Sequence, residues 1–298
     1  MKKILISGAS GFLGYKLLPL LKKKYEIEAL YFRQNFEISD VNWCRLNLLE
    51  EKELVEKLSK TKVDAVIHAA AIANPNFCEE NVALSHHVNV YSTVTFADFC
   101  KSLGIPLIFI STDLVFNGNM GDYNESDYCF PLSKYGEQKL AAEEILQNDY
   151  ENFLICRLPL LFGDGPMYSK NFFGDCLEKL LQKEEIIAFS DEFRSPLSSN
   201  WAANGIELAL EYMLNENIKN KETIFHLGGP ERISRYEFAQ LIADVFGFDK
   251  SKIISKLRSE FPMPAARPED VSLNSSLAFD VLKFCPPSLK DQLLELKN

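Results

Sequence analysis

The apolar run Lys3-Ile4-Leu5-Ile6-Ser7 feeds directly into Gly8-Ala9-Ser10-Gly11-Phe12-Leu13-Gly14, and that junction limits the chain more than any other stretch. A short aliphatic run reads as a buried strand. Three glycines at this spacing read as a sharp turn into a helix. The first permits the bend, the second lets the backbone approach a pyrophosphate, and the third lets the helix lie close to the sheet. The helix that follows offers unpaired N–H groups and a positive dipole end to the same place. A glycine-rich turn without a ligand is the plainer alternative; the strand before and the helix after favour phosphate binding.

The rest of the first half repeats the rhythm. Strands are expected at 3–7, 26–32, 64–68, 107–111 and 153–157, with helices at 11–24, 50–60, 81–103 and 133–148. Runs such as Ala65-Val66-Ile67 and Leu107-Ile108-Phe109-Ile110 are apolar without alternation, as strands covered on both faces are. Strand–helix alternation of this kind implies an α/β fold with a doubly wound, Rossmann-like parallel sheet. After about residue 160 the pattern loosens into short strands at 186–189 and 223–227, a helix at 235–246 and a proline-broken stretch, Phe261-Pro262-Met263-Pro264. The expected division is a dinucleotide-binding domain at 1–160, with returning segments at about 198–230. A smaller discontinuous α/β substrate lobe takes 161–197 and 231–298, and the two share one cleft.

Composition narrows the partners. With 42 acidic against 32 basic residues the formal charge is −10, and nucleic-acid binding calls for a basic surface that is not concentrated here. The apolar run after Met1-Lys2-Lys3 is too short for a signal segment or a membrane span. Seven cysteines (Cys44, Cys78, Cys100, Cys129, Cys156, Cys176, Cys285) lie scattered, with no Cys-x-x-Cys pair. That spacing suits neither zinc nor a disulfide framework, and suggests reduced thiols in the cytoplasm. His68, His86, His87 and His226 show no ligand spacing, so no metal is expected.

Two further patterns bear on chemistry. The second strand ends at Tyr31-Phe32-Arg33-Gln34-Asn35, nineteen residues after Gly14, with an arginine and no acid at its tip. An acid there accepts from a ribose 2′-OH, whereas an arginine accommodates a 2′-phosphate, so NADP is expected over NAD. The alternative is a solvent-facing arginine. Downstream, Ser111-Thr112-Asp113 closes a buried strand, and Tyr135 and Lys139 follow at helical i, i+4 spacing. Among eleven tyrosines only Tyr135 has lysine at that position. A neighbouring ammonium would favour the phenolate and bring Tyr135 toward the working range. Such a tyrosine passes a proton to a carbonyl oxygen while hydride arrives, with Thr112 hydrogen-bonding the same oxygen. A surface Tyr–Lys pair on an amphipathic helix is the competing view.

The glycine turn, Ser111-Thr112-Asp113-Leu114-Val115-Phe116-Asn117-Gly118 and Pro131-Leu132-Ser133-Lys134-Tyr135-Gly136-Glu137-Gln138-Lys139 together resemble the extended short-chain dehydrogenase/reductases, most closely the dTDP-4-dehydrorhamnose reductase branch. Arg267-Pro268-Glu269-Asp270-Val271-Ser272-Leu273-Asn274 extends the likeness over nearly the whole chain. The resemblance implies a catalytic trio of Thr112, Tyr135 and Lys139, with Lys139 also at the nicotinamide ribose. It implies that Gly8, Ser10, Gly11, Phe12, Leu13, Gly14, Arg33, Asn47, Leu48, Ala69, Ala70, Ala71, Tyr135 and Lys139 line the cofactor, with Asn47 where the family commonly has an Asp. Thr112, Asp113, Arg194 and Arg267 would meet a nucleotide-sugar substrate, the arginines at its diphosphate, where a guanidinium binds bidentately. A homodimer, without membrane or nucleic-acid partners, completes the expectation.

The match departs at Arg157-Leu158-Pro159-Leu160-Leu161-Phe162-Gly163, where Leu160 stands in place of the branch's tryptophan near the sugar. That version, with Phe32-Arg33, is similar to the regulatory beta subunit of methionine adenosyltransferase, which keeps the nucleotide site but works as a partner subunit. A sugar dehydratase is disfavoured because Leu114 occupies the position of its catalytic Glu. An epimerase shares the Thr-Tyr-Lys chemistry, and Arg33 weighs modestly against it. The expected function is NADPH-dependent reduction of a 4-keto group on a nucleotide-linked deoxysugar, with the regulatory subunit and the epimerase as alternatives.

Overall fold

Ile4, Leu5 and Ile6 are all fully shielded from solvent, the burial of a strand covered on both faces. The computed structural model describes residues 1–33, 36, 38–167, 171–215 and 222–297. The first half runs β1 (Lys3–Ser7), α1 (Gly14–Leu21), β2 (Glu26–Tyr31), β3 (Val41–Arg45), α2 (Glu51–Ser59), β4 (Ala65–His68), α3 (Pro75–Glu80), α4 (Val82–His86), α5 (Ser92–Leu103), β5 (Leu107–Thr112), α6 (Lys134–Asp149) and β6 (Phe153–Leu158). A π-helical turn, His87–Tyr91, joins α4 to α5. The second half adds β7 (Leu161–Phe162), α7 (Phe172–Leu181), β8 (Ile186–Phe189), β9 (Phe193–Arg194), β10 (Leu197–Ser198), α8 (Ser199–Asn215), β11 (Ile224–His226), β12 (Ile233–Ser234), α9 (Arg235–Phe246), β13 (Ile253–Lys256), α10 (Ser276–Leu282) and α11 (Leu289–Lys297).

Seven strands form one sheet in the order β11-β6-β5-β4-β1-β2-β3, every neighbouring pair parallel. The order reverses between β1 and β4, and ligands of doubly wound sheets collect in the crevice at such a reversal. One face buries Leu17, Leu21, Ile206 and Leu210 of α1 and α8; the other buries Leu54, Phe96, Ala142 and Leu146 of α2, α5 and α6. Gly14 sets the fit of α1, because a Cβ there would stand 2.2 Å from the Ala9 carbonyl oxygen.

The smaller lobe is built from two-stranded pairs, β8 with β13 and β9 with β12, around a core of Phe162, Phe173, Phe238, Ile242 and Leu293. Segment 276–284 departs from the expected division: Ala278, Leu282 and Phe284 pack into the core on the α1/α8 face of the large sheet.

In the first half of the chain, β3 and α3 escaped the sequence reading. The edge strand β3 carries Asn42 and Arg45 to solvent and buries none of its residues fully, so it lacks the apolar run of its neighbours. Helix α3 had visible punctuation: Asn74 accepts from the Phe77 amide as N-cap, and Pro75 opens the helix, both start signals. The helix expected at 11–24 is the shorter α1, since the turn occupies residues up to Leu13.

Candidate active site

At the carboxyl ends of β1, β2 and β4 lies a cavity of about 720 Å³. Gly8, Ser10 and Gly11 of the glycine turn form one wall, Ala69, Ala70 and Ala71 after β4 another. Tyr31, Phe32 and Arg33 with Asn47 and Leu48 close the far end. Phe12, Leu13 and Gly14 are not among its lining residues: Phe12 lies against Gly165, Leu13 packs into the core and Gly14 meets Ala9. Among the described residues no Asp or Glu lines the cavity, and Arg33 is exposed at its tip. Gln34, Asn35 and Glu37 after the same tip fall outside the described residues. A described wall without a carboxylate, ending in a guanidinium, fits a dinucleotide bearing a 2′-phosphate.

Beside this cavity, β5 delivers Ser111 and Thr112 to its carboxyl end and α6 brings Tyr135 and Lys139 over them. The close approach depends on Gly136, where a Cβ would stand 2.2 Å from the Leu114 carbonyl oxygen. Ser133 caps α6 by accepting from the Gly136 amide at 3.3 Å. The Thr112 side chain lies close enough to the Tyr135 phenol to act on its ionisation, donates to Asp113 Oδ1 at 3.0 Å and accepts from the Leu114 amide at 3.2 Å. Thr112, Tyr135 and Lys139 are therefore brought together, all buried, though none of them lines the 720 Å³ cavity itself.

The electrostatics correct one expectation. Tyr135 is not drawn toward the phenolate: burial raises its pKa well above the ordinary value, and the Asp113 carboxylate raises it further. Lys139 is the group that moves into the working range, lowered by burial to about 7 with Glu143 acting against the shift. The reason is geometric. The Lys139 ammonium is 3.9 Å from the centroid of the Phe109 ring and makes no hydrogen bond or ion pair among the described residues. Water is excluded from both side chains, so each favours its neutral form.

Several contributors carried no clear sequence signal. Asn89, in the π-turn, accepts from the Ile72 amide at 2.8 Å and donates to the Ile72 carbonyl at 3.1 Å and to Gln138 Oε1 at 2.8 Å. It thereby ties the cavity wall to the helix carrying Tyr135 and Lys139. A lone amide between Val88 and Val90 was its only trace. His68 sits between Ser7 Oγ (2.6 Å from Nδ1) and Ser92 Oγ (3.3 Å from Nε2), held neutral near pKa 3 by burial and then by Lys139.

The two arginines expected at a diphosphate stand differently. Arg194 is buried, with Nη2 3.1 Å from Glu192 Oε1 and Nε 3.7 Å from Asp113 Oδ2, and Nη1 donates to the Phe193 carbonyl at 2.6 Å. Arg267 is half-buried and reaches Asn76 Oδ1 at 3.5 Å. Its pKa is lowered by burial, raised by Glu192 and lowered again by Arg194, which places it in the same cluster. Arg235, unforeseen, joins them 3.8 Å from Glu192 Oε1 and stacked 3.9 Å over Phe172. Arg194 and Arg235 thus face Glu192 and Asp113, with Arg267 within electrostatic reach of Glu192. Burial raises Asp113 to about 6 against the pull of Arg194. The cluster carries surplus positive charge.

A family model described as RmlD substrate binding domain matches residues 1–297. A probable low-salt glycan biosynthesis reductase of Haloferax volcanii is 27% identical, over 98% of this chain and 96% of that protein. The methionine adenosyltransferase 2 subunit beta of Danio rerio is 26% identical, over 92% of this chain and 83% of that one. Among solved structures, a hypothetical dTDP-4-dehydrorhamnose reductase from Sulfolobus tokodaii superposes with TM-score 0.83 at 30% identity, covering 97% of this chain and 98% of that chain.

Proposed function

This chain belongs to the RmlD substrate binding domain family, and we propose that it is an NADPH-dependent reductase of the 4-keto group of a nucleotide-linked deoxysugar. The observation that carries the reading is the clustering of buried Thr112 and Tyr135 beside a buried Lys139 whose pKa falls to about 7. The cavity, with no acid among its described lining residues and Arg33 at its tip, supports NADP over NAD. NADPH, when bound, supplies a hydride to the keto carbon.

The chain's own groups handle the proton. Burial keeps the Tyr135 phenol protonated, the state a donor needs in the reductive direction. Tyr135 gives that proton to the keto oxygen, which Thr112 orients and polarises. Lys139, with its pKa near 7, replaces the proton and steadies the developing phenolate. The cationic cluster of Arg194, Arg267 and Arg235 suits the substrate diphosphate. Exclusion of water from Tyr135 and Lys139 strengthens each of these interactions.

The test is turnover: NADPH absorbance falls when a panel of 4-keto nucleotide sugars is supplied, and Tyr135→Phe abolishes the fall. No consumption with any member of the panel defeats the reading. The division into a dinucleotide domain and a substrate lobe, a homodimeric state and a cytoplasmic location belong to the same proposal. Seven free thiols support a reducing compartment.

Leu160 favours a second reading, an NADP-holding partner subunit. Its side chain is half-buried against the small-lobe core and offers no aromatic face to a sugar. Co-elution with a methionine adenosyltransferase catalytic subunit, unchanged by Tyr135→Phe, supports that alternative.

A further inference from the structure

Beneath Lys139 lies a second polar layer that the proposed chemistry does not use. Glu143 follows Lys139 by one turn on α6 and is fully buried. Arg157, from β6, grips it with Nε 3.1 and 3.2 Å from the two carboxylate oxygens and Nη2 2.7 Å from Oε2. Ser111 Oγ, from β5, donates a short bond to Oε1. Arg157 is itself held: Nη1 is 3.2 Å from His226 Nε2 and Nη2 3.2 Å from Cys129 Sγ. His226 Nδ1 faces the Tyr123 carbonyl at 2.9 Å. A carbonyl only accepts, so Nδ1 carries the imidazole proton and Nε2 is free to accept from Arg157.

The groups around Lys139 and its neighbour Tyr135 differ in charge. His68, on β4, is held neutral by burial. Cys78, on α3, keeps its proton because burial raises it. Tyr135, on α6, is a protonated phenol. Asp113, after β5, is spoken for by Arg194 and Thr112. Phe109, on β5, presents a ring face. Glu143 is left as the anion acting on Lys139, with Arg157 on β6 gripping its carboxylate. Replacing a buried ion pair by apolar residues of similar volume is often neutral or stabilising, so stability alone is a weak reason for this one.

We propose that Glu143 is a positioning residue for Lys139: pinned by Arg157 and Ser111, its carboxylate favours the protonated amine of Lys139 against the desolvation of a dry, aromatic-walled site. The effect on turnover rests on the reductase reading above; the effect on Lys139 itself needs no substrate.

Two explanations predict opposite signs. Loss of the carboxylate field lowers the Lys139 midpoint, whereas loosened packing admits water and raises it toward the ordinary value. Lysine side-chain NMR of the ligand-free protein, with the Lys139 resonance assigned by its loss in Lys139→Met, reads the midpoint directly. Because Glu143→Gln leaves Arg157 buried and unpaired, the double variant Glu143→Leu with Arg157→Met keeps the core filled and is read in parallel. A downward shift of about one pH unit or more is expected in both, with Glu143→Asp staying close to the parent. An unchanged or raised midpoint in the double variant overturns the inference. Where the panel of 4-keto sugars is turned over, the alkaline limb of the pH–rate profile moves down by the same amount. A lowered midpoint in a protein that turns nothing over leaves this inference standing and removes the reductase reading.

Discussion

Lys139 Nζ rests 3.9 Å from the centre of the Phe109 ring, so the buried charge on α6 meets a π face of β5 in place of a carboxylate. An ammonium over an aromatic face gains ~0.5–2 kcal/mol, less than burial takes away, and its pKa falls to about 7. The consequence is a pH-dependent stability. Between pH 7 and the ordinary lysine value near 10.5, the unfolded chain binds a proton that the folded chain does not, so stability rises with pH across that window. Lys139→Met removes the titration. Denaturant unfolding of the ligand-free protein should show the variant's advantage greatest below pH 7 and shrinking toward pH 10. A constant difference between parent and variant contradicts this.

Tyr135→Phe removes the proton but little of the packing. NADPH-dependent turnover should fall ~10²-fold or more, while cofactor affinity by fluorescence titration stays within a few-fold. A variant retaining most of its turnover would mean the proton comes from elsewhere.

Arg33 stands at the end of the cavity, where no described residue is an acid. A charge-assisted hydrogen bond is worth ~1.5–3 kcal/mol, so Arg33→Ser should weaken NADPH roughly 10- to 100-fold and leave NADH nearly unchanged. Equal losses for both cofactors would place the arginine away from the 2′-phosphate.

Gly136→Ala probes how α6 is seated. The added methyl meets the Leu114 carbonyl oxygen, and overpacking of this kind costs ~1–3 kcal/mol. Because Tyr135 and Thr112 sit on the two elements pushed apart, turnover should fall by more than the stability loss explains. Normal turnover with a lowered unfolding midpoint would separate the two.

Much of the large domain was legible in residues 1–160. Strands buried on both faces have no polar side to show, so their sequence is an uninterrupted apolar run, and Ile4–Ile6, Val66–Ile67 and Leu107–Phe109 could be read as such. The glycine turn and the Thr112, Tyr135, Lys139 spacing were equally local. Strand β3 was not legible, because an edge strand with solvent on one side carries no such run. Nor was the third arginine: Arg235 opens a helix on its own, and only the fold brings it to Glu192 beside Arg194. Leu282 and Phe284 read as the tail of the small lobe yet close the far face of the large sheet.

What the sequence determined by itself is the alternation of buried strand and helix, the phosphate-binding turn, and the i, i+4 placement of a phenol and an amine. All of these are set by period and spacing along one element. Which proton carrier is tuned was decided by the tertiary structure. Desolvation and the field of Glu143, held by a residue from β6, act through space from segments far apart in the chain. Desolvation keeps Tyr135 protonated and brings Lys139 to a pKa of about 7 against the pull of Glu143, the reverse of what spacing alone suggested.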